Sequence, residues 1–328
     1  MTILITGGAG YIGSHTVEEL KSRGYDILVY DNLSEGFQKA LPKDVDMMKA
    51  DLKDRDQLKQ VFEKYKIKTV IHFAGFISVA ESVENPEKYF ENNVNNTLIL
   101  LDVMKEFNVD KIVFSSSAAV YGDAEGIPIT EDSPTKPKNP YGETKLEVES
   151  ILKKYDKEYG IKSVSLRYFN ASGASLKGNI GEAHDPETHL IPLVLKAALE
   201  DKEIKIFGTD YDTEDGTCVR DYIHVTDLAD AHILALEYLL KGGKTEVFNL
   251  GNGKGFSVRQ IIDFVKEITG KGIKTIEQGR RAGDPPILIA SNEKIKKALG
   301  WGPKYSDIKT IISSAWKWHK EHPNGYGE

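Results

Sequence analysis

Five short apolar runs punctuate the first half of the chain: TILIT (2–6), DILVY (26–30), TVIHFAG (69–75), KIVFSSS (111–117) and SVSLRYFN (163–170). They are rich in β-forming residues and bounded by Gly, Asp, Asn or Ser, which reads as strands. Between them the pattern becomes that of amphipathic helices, as in SHTVEELKSRG (14–24) and NNTLILLDVMKEF (95–107). Continuously apolar strands that alternate with helices predict a parallel sheet covered on both faces, a doubly wound α/β fold.

After Asn170 the pattern changes. Residues 171–189 are rich in Gly, Ser, His and acidic residues, as in a loop or ligand-facing segment. A helix is expected over 191–201, a strand over 203–208, then a polar loop ending in RDYIHV. The helix at 227–241 and the strand TEVFNLG (245–251) look like one more unit of the first sheet. The expected division is therefore a larger domain over 1–170, with 222–250 returning to it, and a smaller α/β lobe over 171–328. A cleft is expected between them.

The 328 residues carry a net charge of −7 and are 40% hydrophobic and 28% charged. An acidic surface argues against a nucleic-acid partner, although a local basic cluster can still hold a small phosphorylated ligand. The single cysteine, Cys218, rules out an internal disulfide, suits a reducing cytosol and is expected in the core or a loop. The opening MTILITGG lacks a charged n-region and breaks early at glycine, and no run reaches the ~20 apolar residues of a membrane span. A cytoplasmic chain with no membrane partner is expected.

GGAGYIG, Gly7 to Gly13, follows the first strand and opens the first helix. It satisfies G-x-G-x-x-G through Gly8, Gly10 and Gly13, and a related spacing through Gly7, Gly10 and Gly13. Such a loop turns sharply, lets backbone approach a pyrophosphate, and presents the unpaired N–H groups of a helix start to it. Asp31 ends the second strand eighteen residues past Gly13. A carboxylate there accepts hydrogen bonds from adenosine ribose hydroxyls and repels a 2′-phosphate, which favours NAD over NADP. The other use open to Asp31 is that of a strand-end turn residue. Asp51 is a second acidic candidate, near the adenine.

KIVFSSS ends in serines at the edge where doubly wound sheets place ligands. Ser117 either serves a ligand or caps the next helix. NPYGETK (139–145) then offers Asn139 as an N-cap and Pro140 at the first helical position. Tyr141 and Lys145 thus share a helix face one turn apart. A free tyrosine, with a pKa of about 10, is a poor base at neutral pH. A nearby ammonium, a helix N-terminus and a cationic nicotinamide ring all favour the phenolate, which could take a proton from a hydroxyl while hydride leaves the same carbon.

GGAGYIG, FSSSAAVYG and YGETK together resemble the extended short-chain dehydrogenase/reductase superfamily. Within it, IHFAGFISVAESV, LRYFNASGA, TEDGTCVRDYIHVTDLA, FNLGNG and HPNGYG are similar to the UDP-glucose (UDP-galactose) 4-epimerases, over the whole chain. The resemblance implies a transient 4-keto sugar: Tyr141 removes the C4 hydroxyl proton, NAD takes the C4 hydride, the sugar turns over and hydride returns to its other face. It also implies that Ser117 bonds the reacting oxygen and that Lys145 tunes Tyr141 and holds the nicotinamide ribose. For the cofactor it implies Gly7, Gly10, Tyr11, Ile12, Gly13, Asp31, Asn32, Asp51, Leu52, Phe73, Ala74, Asn92, Ser115, Tyr141, Lys145, Tyr168 and Phe169. For the UDP-sugar it implies Ser117, Tyr141, Asn170, His189, Leu190, Phe207, Arg220, Arg281, Asp284 and Leu288. Arg220 and Arg281 suit a pyrophosphate, because guanidinium groups bind phosphate oxygens in pairs, though either could instead form a surface ion pair. A homodimer, paired through helices of the NAD domain, is implied as well.

Three positions depart from the family pattern. Ile77 stands where many members have a lysine, His189 where asparagine is common, and Leu288 where tyrosine or a smaller residue gates an N-acetyl group. UDP-GlcNAc/UDP-GalNAc or UDP-pentoses therefore stay open as substrates. A nucleotide-sugar dehydratase or decarboxylase ranks lower, because Ala118 and Ala119 replace the Asp-Glu pair that dehydration uses. A non-catalytic NAD sensor would not need Ser117, Tyr141 and Lys145 together. His184 and His189 stand near carboxylates but show no clean metal-ligand spacing, so no metal is expected. Trp316 and His319, at helical spacing, are expected to pack in the core.

Overall fold

A computed structural model describes residues 2–123, 126–281 and 284–327. The first half runs β1 (Thr2–Thr6), α1 (Tyr11–Ser22), β2 (Asp26–Asp31), β3 (Asp46–Lys49), α2 (Arg55–Tyr65), β4 (Ile67–His72), α3 (Val79–Glu84), α4 (Pro86–Phe90), α5 (Asn96–Glu106), β5 (Lys111–Ser117), α6 (Pro140–Tyr159) and β6 (Lys162–Tyr168). The second half runs β7 (Asn170–Ser172), α7 (Leu190–Glu200), β8 (Glu203–Phe207), β9 (Val219–His224), α8 (Val225–Leu240), β10 (Glu246–Leu250), β11 (Gly255–Ser257), α9 (Val258–Thr269), β12 (Lys274–Gln278), β13 (Ile287–Leu288), α10 (Glu293–Leu299) and α11 (Ile308–Glu321).

Seven parallel strands form one sheet in the order β10-β6-β5-β4-β1-β2-β3. One face buries Leu4, Val70 and Ile112 with residues of α2, α5 and α6 such as Leu58, Leu100 and Leu152. The other buries Ile5, Ile71 and Val113 with Val17 and Leu20 of α1 and Leu228 and Leu236 of α8. Continuous apolar strands are what this double covering requires, and burial on both faces is the main force holding the sheet. The β3 segment DMMK reads less clearly in the sequence because, as an edge strand, it is only half-buried.

The strand order reverses beside β1, whose neighbours are β2 and β4, and this switch point opens a crevice at the carboxyl ends of the strands. TVIHFAG accordingly leaves the sheet at His72, and its last residues line the crevice. The SVSLRYFN strand likewise divides: β6 stops at Tyr168, and β7 pairs instead with β9. The helix expected at 95–107 continues one from α4 through a single wide turn, Glu91–Asn95, of π geometry. Such turns re-aim side chains and cluster at functional sites.

Beyond the sheet, α7, α9 and α11 pack Ile191, Leu195, Ile261, Val265, Ile311 and Ile312 into a separate core. Cys218 is buried, and His319 packs inside with Trp318, whereas Trp316 is only partly covered. The C-terminal segment returns across the molecule: Tyr326 stacks on Phe37 at 4.9 Å and bonds the backbone of Gly181, while Lys39 donates to the Tyr326 and Gly327 carbonyls. Among the described residues no helix is long and apolar enough to cross a membrane.

Candidate active site

A cleft of about 480 Å³ runs along the carboxyl edge of the large sheet, from Asp31 and Asp51 past Ser117, Tyr141 and Lys145 to Arg220 and Asp284. At its first end, Gly7 adopts φ +71, and a Cβ there would lie 2.4 Å from the Ala74 nitrogen. Only glycine lets the β1–α1 turn pass that close to the end of β4. A Cβ on Gly10 would meet only the Gly7 carbonyl, at 3.4 Å, so the loop's other side faces the cleft. No side chain caps α1, which leaves its first N–H groups available to an anion.

Asp31 is buried at the end of β2, and its two oxygens accept from the Ala9 and Leu33 N–H groups at 2.9 and 2.8 Å. Burial nevertheless raises its pKa, against those bonds. Each oxygen keeps a lone pair, which suits a ribose diol. Asn32 donates to Asp51 at 3.0 Å and closes the adenine end. The loop, the uncapped helix and this carboxylate fit a dinucleotide. All the residues implied for the cofactor line this one cleft.

The three candidate catalytic residues come from two elements. Ser117 ends β5, where its Oγ accepts from the Ala119 N–H at 3.1 Å, so the cap and the cleft-facing position coexist in one side chain. Asn139 caps α6 by accepting from the Gly142 N–H at 2.9 Å, and Pro140 starts the helix. Tyr141 and Lys145 are then buried on one face. The Lys145 Nζ donates to the Ser115 carbonyl at 2.9 Å and lies 5.8 Å from the Tyr141 ring centre. Burial lowers Lys145 to about 8. Tyr141 is pushed up by burial and pulled the other way by the Ser117 hydroxyl. Without the cofactor, the raised pKa keeps this phenol protonated at neutral pH, and positive charge added beside it would favour the phenolate.

The wide turn before α5 places Asn92 on the cleft and Asn93 beneath it. Asn93 accepts from the Phe76 N–H, donates to the Phe76 carbonyl and reaches Thr144 Oγ1 at 3.2 Å, tying the β4 loop to α6. Sequence reasoning missed Asn93; the asparagine-rich ENNVNN was its only signal.

At the substrate end, Arg220 pairs with Asp284 at 2.6 Å beside Leu288, its register partner between β9 and β13. Asn170 donates to the Asp221 carbonyl at 2.8 Å. Asn170, His189, Arg220, Asp284 and Leu288 line the cleft, as does Ile77. Leu190, Phe207 and Arg281 do not: Leu190 packs against the smaller core, and the Arg281 guanidinium stacks 3.9 Å over the Phe207 ring.

The segment before α7 gathers Glu182, His184, Glu187 and His189, with one ligand atom from each within 4.8 Å of the others. His189 Nδ1 lies 2.7 Å from Glu182 Oε1 and 3.2 Å from Glu187 Oε1, and His184 Nδ1 lies 3.1 Å from Glu182. Burial would raise Glu182, but His189 and His184 hold it below the ordinary range. The linear spacing did not show this cluster because Glu182 and Glu187 enter it from the two ends of a bend.

Comparison with known proteins agrees with this geometry. The NAD dependent epimerase/dehydratase family matches residues 3–251. A UDP-glucose 4-epimerase of Halalkalibacterium halodurans is 54% identical over 99% of this chain and 98% of its own. A solved UDP-glucose 4-epimerase, 50% identical, superposes with a TM-score of 0.98 over 100% of both chains. Another, from Bifidobacterium longum in complex with NAD+ and UDP, is 40% identical with a TM-score of 0.93, over 99% of this chain and 100% of its own. The chain belongs to the NAD dependent epimerase/dehydratase family, among its UDP-glucose 4-epimerases.

Proposed function

We propose that the chain interconverts UDP-galactose and UDP-glucose, with Tyr141 as base and acid, Ser117 as the partner of the reacting oxygen and Lys145 as the positioning cation. The observation that carries these roles is the meeting of Ser117, Tyr141 and Lys145 in the cleft that begins at Asp31. Bound NAD supplies reversible hydride acceptance at C4 of the sugar. Tyr141 receives the C4 hydroxyl proton, through Ser117 or directly, and returns it after the keto sugar has turned. Lys145, anchored on the Ser115 carbonyl, keeps a positive charge beside the phenol. Arg220 holds the diphosphate by exchanging its bond to Asp284 for phosphate oxygens. Arg281 would have to swing off Phe207 to join it.

The absence of a carboxylate at Ala118 and Ala119 favours epimerisation over dehydration. Leu288 on the cleft wall is intermediate in bulk and does not choose between plain and N-acetylated hexoses; the similarity to UDP-glucose 4-epimerases is what favours the plain hexose. Family membership supports a homodimer, and the lone buried Cys218 supports a reducing, cytoplasmic setting. The test is to incubate purified protein with UDP-galactose, UDP-GalNAc and UDP-pentoses, adding no NAD, and to resolve the products. UDP-galactose should reach an equilibrium mixture with UDP-glucose. If another UDP-sugar alone is epimerised, the substrate assignment fails; if none is, the whole reading fails.

A further inference from the structure

The cluster ahead of α7 has the make-up of a cation site rather than of a solvated charge group. Two of its members, Glu182 and Glu187, keep only 3% of their side-chain surface exposed. Glu187 Oε1 accepts from the Thr188 and His189 N–H groups, both at 2.8 Å, which fixes that carboxylate in place. Its other oxygen, Oε2, is buried with no hydrogen-bond partner. His189 Nδ1 is also without a well-directed hydrogen bond, despite lying close to two carboxylates. An orphaned buried carboxylate oxygen is costly, and two buried carboxylates facing one another more so.

We infer that Glu182, His184, Glu187 and His189 form a binding site for one divalent cation of the zinc class. Two imidazoles and two carboxylates make a borderline donor set, suited to Zn²⁺ and its neighbours and not to Mg²⁺. With bonds of about 2.0–2.2 Å, a tetrahedral zinc spaces its donors roughly 3.3–3.6 Å apart. The three nitrogen-to-carboxylate separations of 2.7, 3.1 and 3.2 Å would open slightly around the ion, and the remaining donors, all within 4.8 Å of one another, would draw in to it. Outer contacts that orient ligands are present as well. The Glu182 carbonyl accepts from Trp318 Nε1 at 3.0 Å, and the two backbone N–H groups hold Glu187. The His184 ring meets Tyr11 of the glycine loop edge-on at 6.2 Å. A cation would thus pin the 182–189 segment between the glycine loop and α7, and would place positive charge beside Glu182 on the cleft wall.

In the alternative, the four side chains hold only a proton, with one imidazolium shared between the carboxylates. Metal binding separates the two. The protein, with its NAD, is dialysed against chelator and titrated with Zn²⁺, and with Co²⁺ as a spectroscopic probe. One equivalent of Zn²⁺ per chain should bind and raise the melting temperature. Co²⁺ should give a four-coordinate visible spectrum with hyperfine-shifted imidazole resonances from two histidines. Glu187→Gln and His184→Ala should lose affinity by more than the roughly 10–100-fold that removal of an outer partner costs. No stoichiometric binding to the unmodified protein, shifted resonances from fewer than two histidines, or undiminished binding in both variants would each overturn the inference. Should a variant fail to fold, the resonance count on the unmodified protein decides by itself.

Discussion

Lys145 is a buried amine that donates to the Ser115 carbonyl and faces no carboxylate at ion-pair distance among the described residues, and the fold bears a cost for keeping it charged there. With its pKa lowered to about 8, the charged form is disfavoured by roughly 3 kcal/mol relative to the unfolded chain. Below pH 8 both states carry the proton and the cost is complete. Between about 8 and 10.5 only the unfolded chain holds it, so rising pH favours the folded state. In cofactor-free protein, Lys145→Met should therefore stabilise by about 1–3 kcal/mol at pH 7, with the gap closing towards pH 10. Denaturant unfolding at the two pH values checks this; a gap that widens with pH refutes it. Tyr141→Phe removes the oxygen proposed to handle the proton and leaves the cleft's shape intact. Turnover should fall by about 10²–10⁴-fold or more while bound NAD, read by its absorbance after denaturation, stays unchanged.

At the scale of elements, α6 is locked to β5 and β6 by one buried network. Arg167 donates to both oxygens of Glu149, at 2.8 and 2.5 Å, and Ser116 donates to the same carboxylate at 2.6 Å. The remaining Arg167 nitrogen reaches Tyr121, which donates to Asn249 of β10 at 2.7 Å. The chain thereby fixes the helix that presents Tyr141 and Lys145 against the strand that presents Ser117. Arg167→Met should cost about 3–5 kcal/mol, since it strands a buried carboxylate, while the double change with Glu149→Met should cost much less. Midpoints of chemical denaturation distinguish the two cases, and equal losses would show that packing, not charge, holds the pair. This network was invisible in the sequence because its members lie in separate segments and no local pattern links Glu149 to Arg167. The strands, the glycine loop and the Asn139 cap were legible, because each follows from neighbouring residues alone. That Leu190, Phe207 and Arg281 lie off the cleft wall was not legible, because a position in a chain does not state which way its side chain turns.

For the molecule as a whole, the large sheet is discontinuous in sequence. Its covering helix α8 begins at Val225 and its edge strand β10 at Glu246, long after β6 ends at Tyr168. Until then Val113, Val164 and Leu166 have nothing to cover them on the α8 face. Residues 1–170 alone should therefore be insoluble or lack fixed tertiary structure, whereas 1–250 should at least acquire near-ultraviolet dichroism from packed aromatics. A soluble, cooperatively melting 1–170 fragment would contradict this.

The return of β10 to β6 also has a meaning in time. On the ribosome the N-terminal strands emerge early, and at about 5–20 residues per second the wait for β10 lasts several seconds, long compared with the collapse of a nascent chain. During that wait β6 is an open edge with unpaired backbone groups, which is the template on which strands of neighbouring nascent chains can pair. Synthesis of this protein is thus a race between the arrival of its own tenth strand and the approach of another copy, and slow translation between residues 170 and 250 would favour the wrong partner.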